Sequence, residues 1–227
     1  MILMNDDSFM KARRRRSGPE AGDKRRRILD AAVKIFARKG YFGARVSEIA
    51  GRAGVADGTV YLYFRDKEDV LASVFEDVVA EHVAQARREL ETLPPGAARL
   101  RRVAEHHLRL LGGNPDLAVV FQVELRQSTK FMERFTAASF QDYLKLIEEI
   151  IDEAQVEGSV RTDLSTKFLA KALFGILDEM VTSWILGGRD YDLGKLAAPV
   201  VDLFLNGARA RATRVLARRP AARGSRS

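Results

Sequence analysis

The sequence predicts an all-α protein, and three observations carry that prediction. Apolar residues recur at helical spacing almost throughout, as in Ile28, Leu29, Ala32, Ile35 and Phe36, and again in Val70, Leu71, Val74, Phe75, Val78, His82 and Val83. The breaks between stripes fall on helix-ending residues: Gly40, Pro94-Pro95, Gly112-Gly113-Asn114-Pro115, Ser128-Thr129, Gly158-Ser159 and Gly187-Gly188. No segment alternates apolar and polar residues as a half-buried strand would. At 227 residues, 46% of them hydrophobic, the chain is long enough for one large or two small domains with a substantial core.

The first helix starts after a candidate N-cap at Asp23 and stops at Gly40, with Arg38 and Lys39 in the last turn, where cations suit the helix dipole. Ser47 is placed to cap a short helix that turns Ile49 and Ala50 inward and ends at Gly54. The tight turn Gly54-Val55-Ala56 leads into a second short helix, Asp57–Phe64, and two short helices joined in this way form a helix-turn-helix. Val46, Ile49, Ala50, Ala53, Val55 and Val60 supply its small core against Ile28, Ala32 and Phe36. A long helix follows over about 67–93, and further helices are expected over about 96–111, 115–127, 131–157, 163–187 and 192–212. Pro115 takes a first helical position with Asn114 as its cap.

Charge divides the chain in three. Residues 1–67 carry 16 basic and 8 acidic side chains, a net of +8; residues 68–207 carry 15 and 23, a net of −8; residues 208–227 carry seven arginines and no acid. An acidic body with basic ends points to a polyanion met by the ends alone. The chain has no cysteine, which removes disulfides, thiolate metal sites and cysteine nucleophiles. Its longest uncharged runs, Leu117–Val123 and Met180–Gly188, are far shorter than a membrane span, and Asp6, Asp7 and Arg13–Arg16 stand where a signal peptide would be apolar. A cytoplasmic protein is expected.

The second short helix exposes Asp57, Gly58, Thr59, Tyr61, Leu62 and Tyr63. Gly58 and Thr59 are small enough for close approach to a sugar-phosphate wall or a thymine methyl, while Thr59, Tyr61 and Lys67 offer hydroxyls and an ammonium to phosphate oxygens. Arg25 and Arg26 in the basic run, and Arg45 before the short helices, add cationic contacts. Taken alone, the pattern also fits a minor helical hairpin whose tyrosines pack inward.

The run Ala31-Ala32…Ile35-Phe36…Gly40-Tyr41…Val46-Ser47-Glu48-Ile49-Ala50…Ala53-Gly54-Val55…Gly58-Thr59-Val60-Tyr61-Leu62-Tyr63-Phe64…Lys67-Glu68…Leu71 resembles the DNA-binding domain of tetracycline-repressor (TetR) family regulators, in order and spacing, over about residues 23–83. The resemblance implies a three-helix DNA-binding head, a linking helix, and an all-helical ligand-binding and dimerising body. It also implies phosphate contacts at Ser47, Thr59, Tyr61 and Lys67, and groove-facing positions at Asp57, Gly58, Leu62 and Tyr63. Ala56 departs from the family pattern by replacing a capping serine, which leaves Asp57 either a cap or a base reader. The expected organisation is a basic arm at 1–22, the head at 23–83, the ligand-binding and dimerisation domain at 84–210, and a basic tail at 211–227.

In the body, Asn114-Pro115-Asp116-Leu117-Ala118-Val119-Val120, Val123-Glu124-Leu125-Arg126-Gln127-Ser128 and Asp190-Tyr191-Asp192-Leu193 resemble the fatty-acid-degradation (FadR-type) regulators of that family. That resemblance implies a homodimeric repressor of palindromic operator DNA, released by long-chain acyl-CoA and needing no cofactor. Phe121, Leu125, Phe140, Tyr143, Leu144, Ile147, Phe174 and Trp184 are candidates to line its pocket, although each also suits the core. Arg109, Glu124 and Arg126 interrupt apolar stretches, as ion-paired residues or, for the arginines, as contacts to CoA phosphates. Apolar residues of 163–187 and 192–205, among them Leu169, Leu173, Ile176, Met180, Phe204 and Leu205, are expected at the dimer interface. A multidrug-sensing repressor is the alternative; it would need buried acids for cationic ligands, with Glu124 and Asp178 as candidates.

An enzyme is not expected. His106 and His107 are adjacent, about 100° apart on a helix, and do not converge as an i, i+4 metal pair would. The glycines at 51, 54 and 58 belong to the helix-turn-helix and lack the strand of a dinucleotide site. Glu148, Glu149, Asp152 and Glu153 read as a solvated acidic face.

Overall fold

The structure is a computed structural model that describes residues 19–124 and 138–207. Arg13–Arg16, Leu125, Arg126 and the tail arginines lie outside the described residues, as does the start of the helix expected from 131. Every regular element among the described residues is helical. Helix α1 is Pro19–Gly43, α2 Val46–Ala53, α3 Asp57–Tyr63 and α4 Lys67–Leu90; α5 is Ala97–Gly112 and α6 Pro115–Val119. After α6 the chain passes into a π-helical turn, Val120–Glu124; α7 is Ala138–Val156, α8 Thr166–Leu186, and a 3-10 turn Leu193–Leu196 leads into α9, Ala197–Asn206.

Three local expectations are corrected. Helix α1 begins at Pro19, so Asp23 lies inside it and caps nothing; its break falls at Gly40 as expected, and Tyr41–Gly43 add one further turn. Ser47 is not the cap of α2 either. Arg45, in extended backbone, precedes the helix, and the Glu48 carboxylate accepts from the Arg45 backbone N–H at 3.2 Å. This is the reverse half of a capping box, and it leaves the Ser47 hydroxyl exposed. Helix α3 has Ala56 as its cap residue with no side-chain bond, and Asp57 is its first helical residue, where its charge suits the positive end of the dipole. Gly54 does what its position predicts: its left-handed backbone (φ 66°) closes α2 through Gly54 N–H to Gly51 O and Val55 N–H to Ala50 O at 3.2 and 3.0 Å.

A single apolar core runs from Ile28 in α1 to Val201 in α9. Helices α7 and α8 pack together, α4 lies against both α1 and α7, and α5 packs on α9. Helix α1 also rests on α6 and the π turn, so the first helix of the head shares its core with the body. Several residues expected at a dimer interface are used inside this core: Leu169, Leu173, Leu177, Leu193, Val200 and Val201 are all buried within the chain. Ile176, Met180, Leu196, Phe204 and Leu205 remain half-buried.

Gly40 sits at φ 72°, ψ 162°, a region that only glycine occupies readily. Gly40→Ala is expected to destabilise the fold by about 1–3 kcal/mol through backbone strain, measured as a lower urea midpoint at unchanged m-value.

Candidate functional site

The head presents an open cleft of roughly 450 Å³ lined by Ala44, Arg45, Val46, Ser47, Asp57, Tyr61, Asp66 and Lys67. It gathers Arg45, Ser47, Asp57, Tyr61 and Lys67, five of the residues that sequence reasoning assigned to DNA contact. Arg45, Ser47, Asp57, Gly58, Tyr61 and Leu62 are exposed, with Thr59 and Tyr63 half-buried beside them. Tyr61 and Leu62 each leave about half their surface in solvent (53% and 55%), although Val60 between them is buried in the head. A seven-residue helix with its apolar anchor on one side and two large exposed side chains on the other is built to be covered by something else.

Two expected phosphate contacts are otherwise engaged. Lys67 Nζ donates to Tyr41 O at 2.6 Å and Ala44 O at 2.9 Å, and lies 4.5 Å from the centre of the Tyr41 ring. Its ammonium therefore ties the start of α4 to the end of α1 and keeps at most one donor for another partner. Arg25 forms a bidentate pair with Asp77 of α4 and lies over the Phe64 ring at 5.5 Å, so its guanidinium fastens α1 to α4. Arg26 is exposed. Arg27, at the end of the basic run Lys24–Arg27 expected to add phosphate contacts, donates instead to the carbonyls of Ala53 and Gly54 and pins the turn between the short helices. Sequence reasoning missed the Lys39–Glu48 pair, which braces α1 against α2, and the exposed ring of Phe42 beside Tyr41. Basic residues at the surface of a DNA-binding head carry no sequence mark separating those that brace from those left free.

Head and body meet through the π turn. Glu124, buried to 6% exposure, accepts from the Tyr41 backbone N–H at 2.6 Å, and its carboxylate lies beside Gly40. Gln122 donates to Asp178 Oδ1 at 2.9 Å and accepts from the Thr182 hydroxyl at 3.1 Å, both on α8. The Phe121 ring sits 5.1 Å from Phe75 of α4. At the edge of this junction Lys34 of α1 pairs with Asp116 of α6 at 2.8 Å. Glu124 and Phe121, two pocket candidates, are thus placed at the head–body joint.

The remaining pocket candidates divide. Phe140, Tyr143 and Phe174 come together, with Phe140 and Phe174 centroids 5.0 Å apart and Tyr143 6.2 Å from Phe174, while Leu144 and Ile147 are buried on the same helix as Tyr143. Trp184 is elsewhere, its indole N–H donating to Tyr191 O at 2.9 Å. Arg109 is exposed and packs its side chain on Gly194 of the 3-10 turn. The acidic face of α7 is not purely solvated: Glu149 pairs with Arg87 at 2.8 Å and Glu153 with Arg99 at 2.8 Å.

The three histidines of the chain cluster together, with His82 and His107 beside Tyr143 and His106 against His82. The His82 ring is 4.4 Å from His106, 6.2 Å from His107 and 5.2 Å from Tyr143, and His107 Nδ1 lies 3.0 Å from the Tyr143 hydroxyl. Burial lowers the His82 pKa to about 3, helped by its two histidine neighbours. Burial likewise lowers His107 to about 4 against an opposing pull from Asp178, and pushes the Tyr143 phenol up. The sequence marks one member of this cluster only, since His82 sits within the apolar stripe of its helix.

An exposed helix-turn-helix face on an all-helical body defines a DNA-binding regulator of transcription. Residues 28–74 match the N-terminal domain of bacterial regulatory proteins of the tetR family, and residues 75–207 match the C-terminal region of YsiA-like proteins. The chain is 36% identical over 180 residues to the fatty acid metabolism regulator protein of Bacillus subtilis, covering 79% of this chain and 93% of that one. It superposes on the fatty acid degradation regulator FadR from Bacillus halodurans with a TM-score of 0.81 at 38% identity, over 86% of this chain and 100% of that one. For the Bacillus subtilis FadR in complex with stearoyl-CoA the TM-score is 0.78 at 35% identity, over 81% and 98%. The chain belongs to the TetR family. It is a transcriptional regulator and not an enzyme. No helix among the described residues is long and apolar enough to cross a membrane.

Because His82 and His107 hold folded-state pKa values of about 3 and about 4, below the ordinary 6.5, the unfolded chain takes up their protons first as pH falls. Their contribution to stability is whole above pH 6.5 and is lost from there down through about pH 3. His82→Leu is expected to flatten the fall of the urea midpoint across that interval. An unchanged slope would mean that His82 is not held neutral by burial.

Proposed function

We propose that the protein is a homodimeric repressor that holds palindromic operator DNA through the α2–α3 cleft and releases it on binding long-chain acyl-CoA, controlling fatty acid degradation genes in the cytoplasm. The observation that carries this reading is the joining of two parts. The cleft is exposed and lined by Arg45, Ser47 and Tyr61, and its head is bonded through Glu124 to a body similar to one crystallised with stearoyl-CoA. In the head, Arg45 and Arg26 supply charge, and Ser47, Thr59 and Tyr61 supply hydroxyls, to the phosphates. Asp57, Gly58, Leu62 and Tyr63 face the bases, with Asp57 freed for that role because it makes no cap bond. The multidrug alternative loses its acids, since Glu124 is bonded to Tyr41 N–H and Asp178 to Gln122.

Dimerisation uses α8 and α9, where Phe168, Leu186 and Leu203 are exposed beside half-buried Ile176, Met180, Phe204 and Leu205. Two heads carried by such a pair reach successive major grooves, roughly 34 Å apart. Acyl-CoA then acts as a population shift. It lowers operator affinity by its preference for a head spacing that does not fit those grooves, and by no more than that.

On a duplex selected in vitro from a random pool, palmitoyl-CoA is expected to release the protein in fluorescence anisotropy, and free CoA is not. Release by both or by neither would remove the acyl-CoA effector. Arg45→Ala should reduce the slope of log affinity against log salt by about 1. In sedimentation the wild type should be a dimer at micromolar concentration and Leu203→Glu a monomer; a wild-type monomer would overturn the assembly.

A further inference from the structure

Four helices bring side chains to one polar point inside the body: His82 from α4, His107 from α5, Tyr143 from α7 and, at its edge, Phe174 from α8. His82 and His107 are both more than nine-tenths buried, and three of their ring nitrogens have no hydrogen-bond partner: both nitrogens of His82 and Nε2 of His107. Buried polar atoms are paired in the great majority of cases, and three orphans in one cluster call for a partner from outside the chain.

The protonation pattern says what kind of partner. The Tyr143 hydroxyl has His107 Nδ1 as its hydrogen-bond partner, at 3.0 Å. A buried phenol keeps its proton and donates it, so the His107 proton is assigned to Nε2, the orphaned atom. His82, also neutral, carries a second N–H. The charged groups around the cluster are acids: Asp178 acts on His107, and Glu89 lies 3.5 Å from His106 on the outer side, with Arg102 acting on Glu89 rather than on the cluster. Two neutral donors near acids suit an uncharged acceptor better than a carboxylate, which Asp178 would repel. Phe140 and Phe174 offer an apolar wall alongside.

We propose that His107 Nε2–H and the N–H of His82 receive the carbonyl oxygen of an acyl thioester, with Tyr143 as the positioning residue that sets the His107 tautomer. This rests on the acyl-CoA reading above and adds to it the group by which the pocket tells a thioester from a free fatty acid.

The test is calorimetric titration of the full-length wild type with palmitoyl-CoA, with S-hexadecyl-CoA, a thioether lacking the carbonyl, and with palmitate. The thioester is expected to bind about five- to 150-fold more tightly than the thioether, the range set by leaving a buried donor unpaired. His107→Phe and Tyr143→Phe should each shrink that ratio toward one, with little change in thioether affinity. Equal wild-type affinity for thioester and thioether would overturn the carbonyl assignment and leave the acyl-CoA reading standing. Palmitate binding as tightly as palmitoyl-CoA would overturn the selection against a carboxylate. Failure of both CoA derivatives to bind would overturn the acyl-CoA reading and this inference with it.

Discussion

The hydrogen bond from Tyr41 N–H to Glu124 is the point at which head and body become one structure. Helix α1 has to end beside the body, and it does so at Gly40, whose backbone conformation releases the Tyr41 N–H from the helical ladder. An N–H shielded from water and left without an acceptor is costly, so the carboxylate placed there holds the joint by satisfying it. The π turn makes this placement possible. An insertion of this kind resets the rotational phase of a helix, and here three consecutive functions follow within five residues: Phe121 toward α4, Gln122 toward α8 and Glu124 toward α1. Helices α8 and α4 thus both contact the same short segment that grips the head.

The exposed face of the two short helices owes its form to fasteners behind it. Helix α3 is seven residues long and has no side-chain cap, too short to be stable alone. Lys67 on the carbonyls of Tyr41 and Ala44, Arg27 on those of Ala53 and Gly54, and Arg25 on Asp77 hold its surroundings in place. Lys67, Arg27 and Arg25 thus act as structural donors, leaving the exposed Arg45, Ser47 and Tyr61 at the rim of the cleft.

Among the described residues the long helices, the two short helices and the glycine turn were legible because they rest on periodicity and on residues with a single conformational meaning, such as Gly54. The caps were less legible: Ser47 and Asp23 are good capping types, but the chain enters α2 through Arg45 and begins α1 at Pro19, and type alone does not fix the first helical residue. The π turn left no trace in an apolar run that also suits an ordinary helix. Pocket candidates chosen for size split by rotation about their helices, so Phe140, Tyr143 and Phe174 meet while Trp184 and Arg109 face other neighbours. The histidine cluster was hidden for a different reason. His82 and His107 lie on separate helices, and only the packing of α4, α5 and α7 brings them together.

Trp184 is the only tryptophan in the chain, buried near the end of α8 with its indole N–H bound to the carbonyl of Tyr191. The loop it anchors joins α8 to the 3-10 turn, on which α5 and α9 both pack. The protein thus carries one native indole at the corner where its last helices turn back on the body, far in sequence from the helix-turn-helix. Its emission is a label-free record of that corner, undiluted by any second indole.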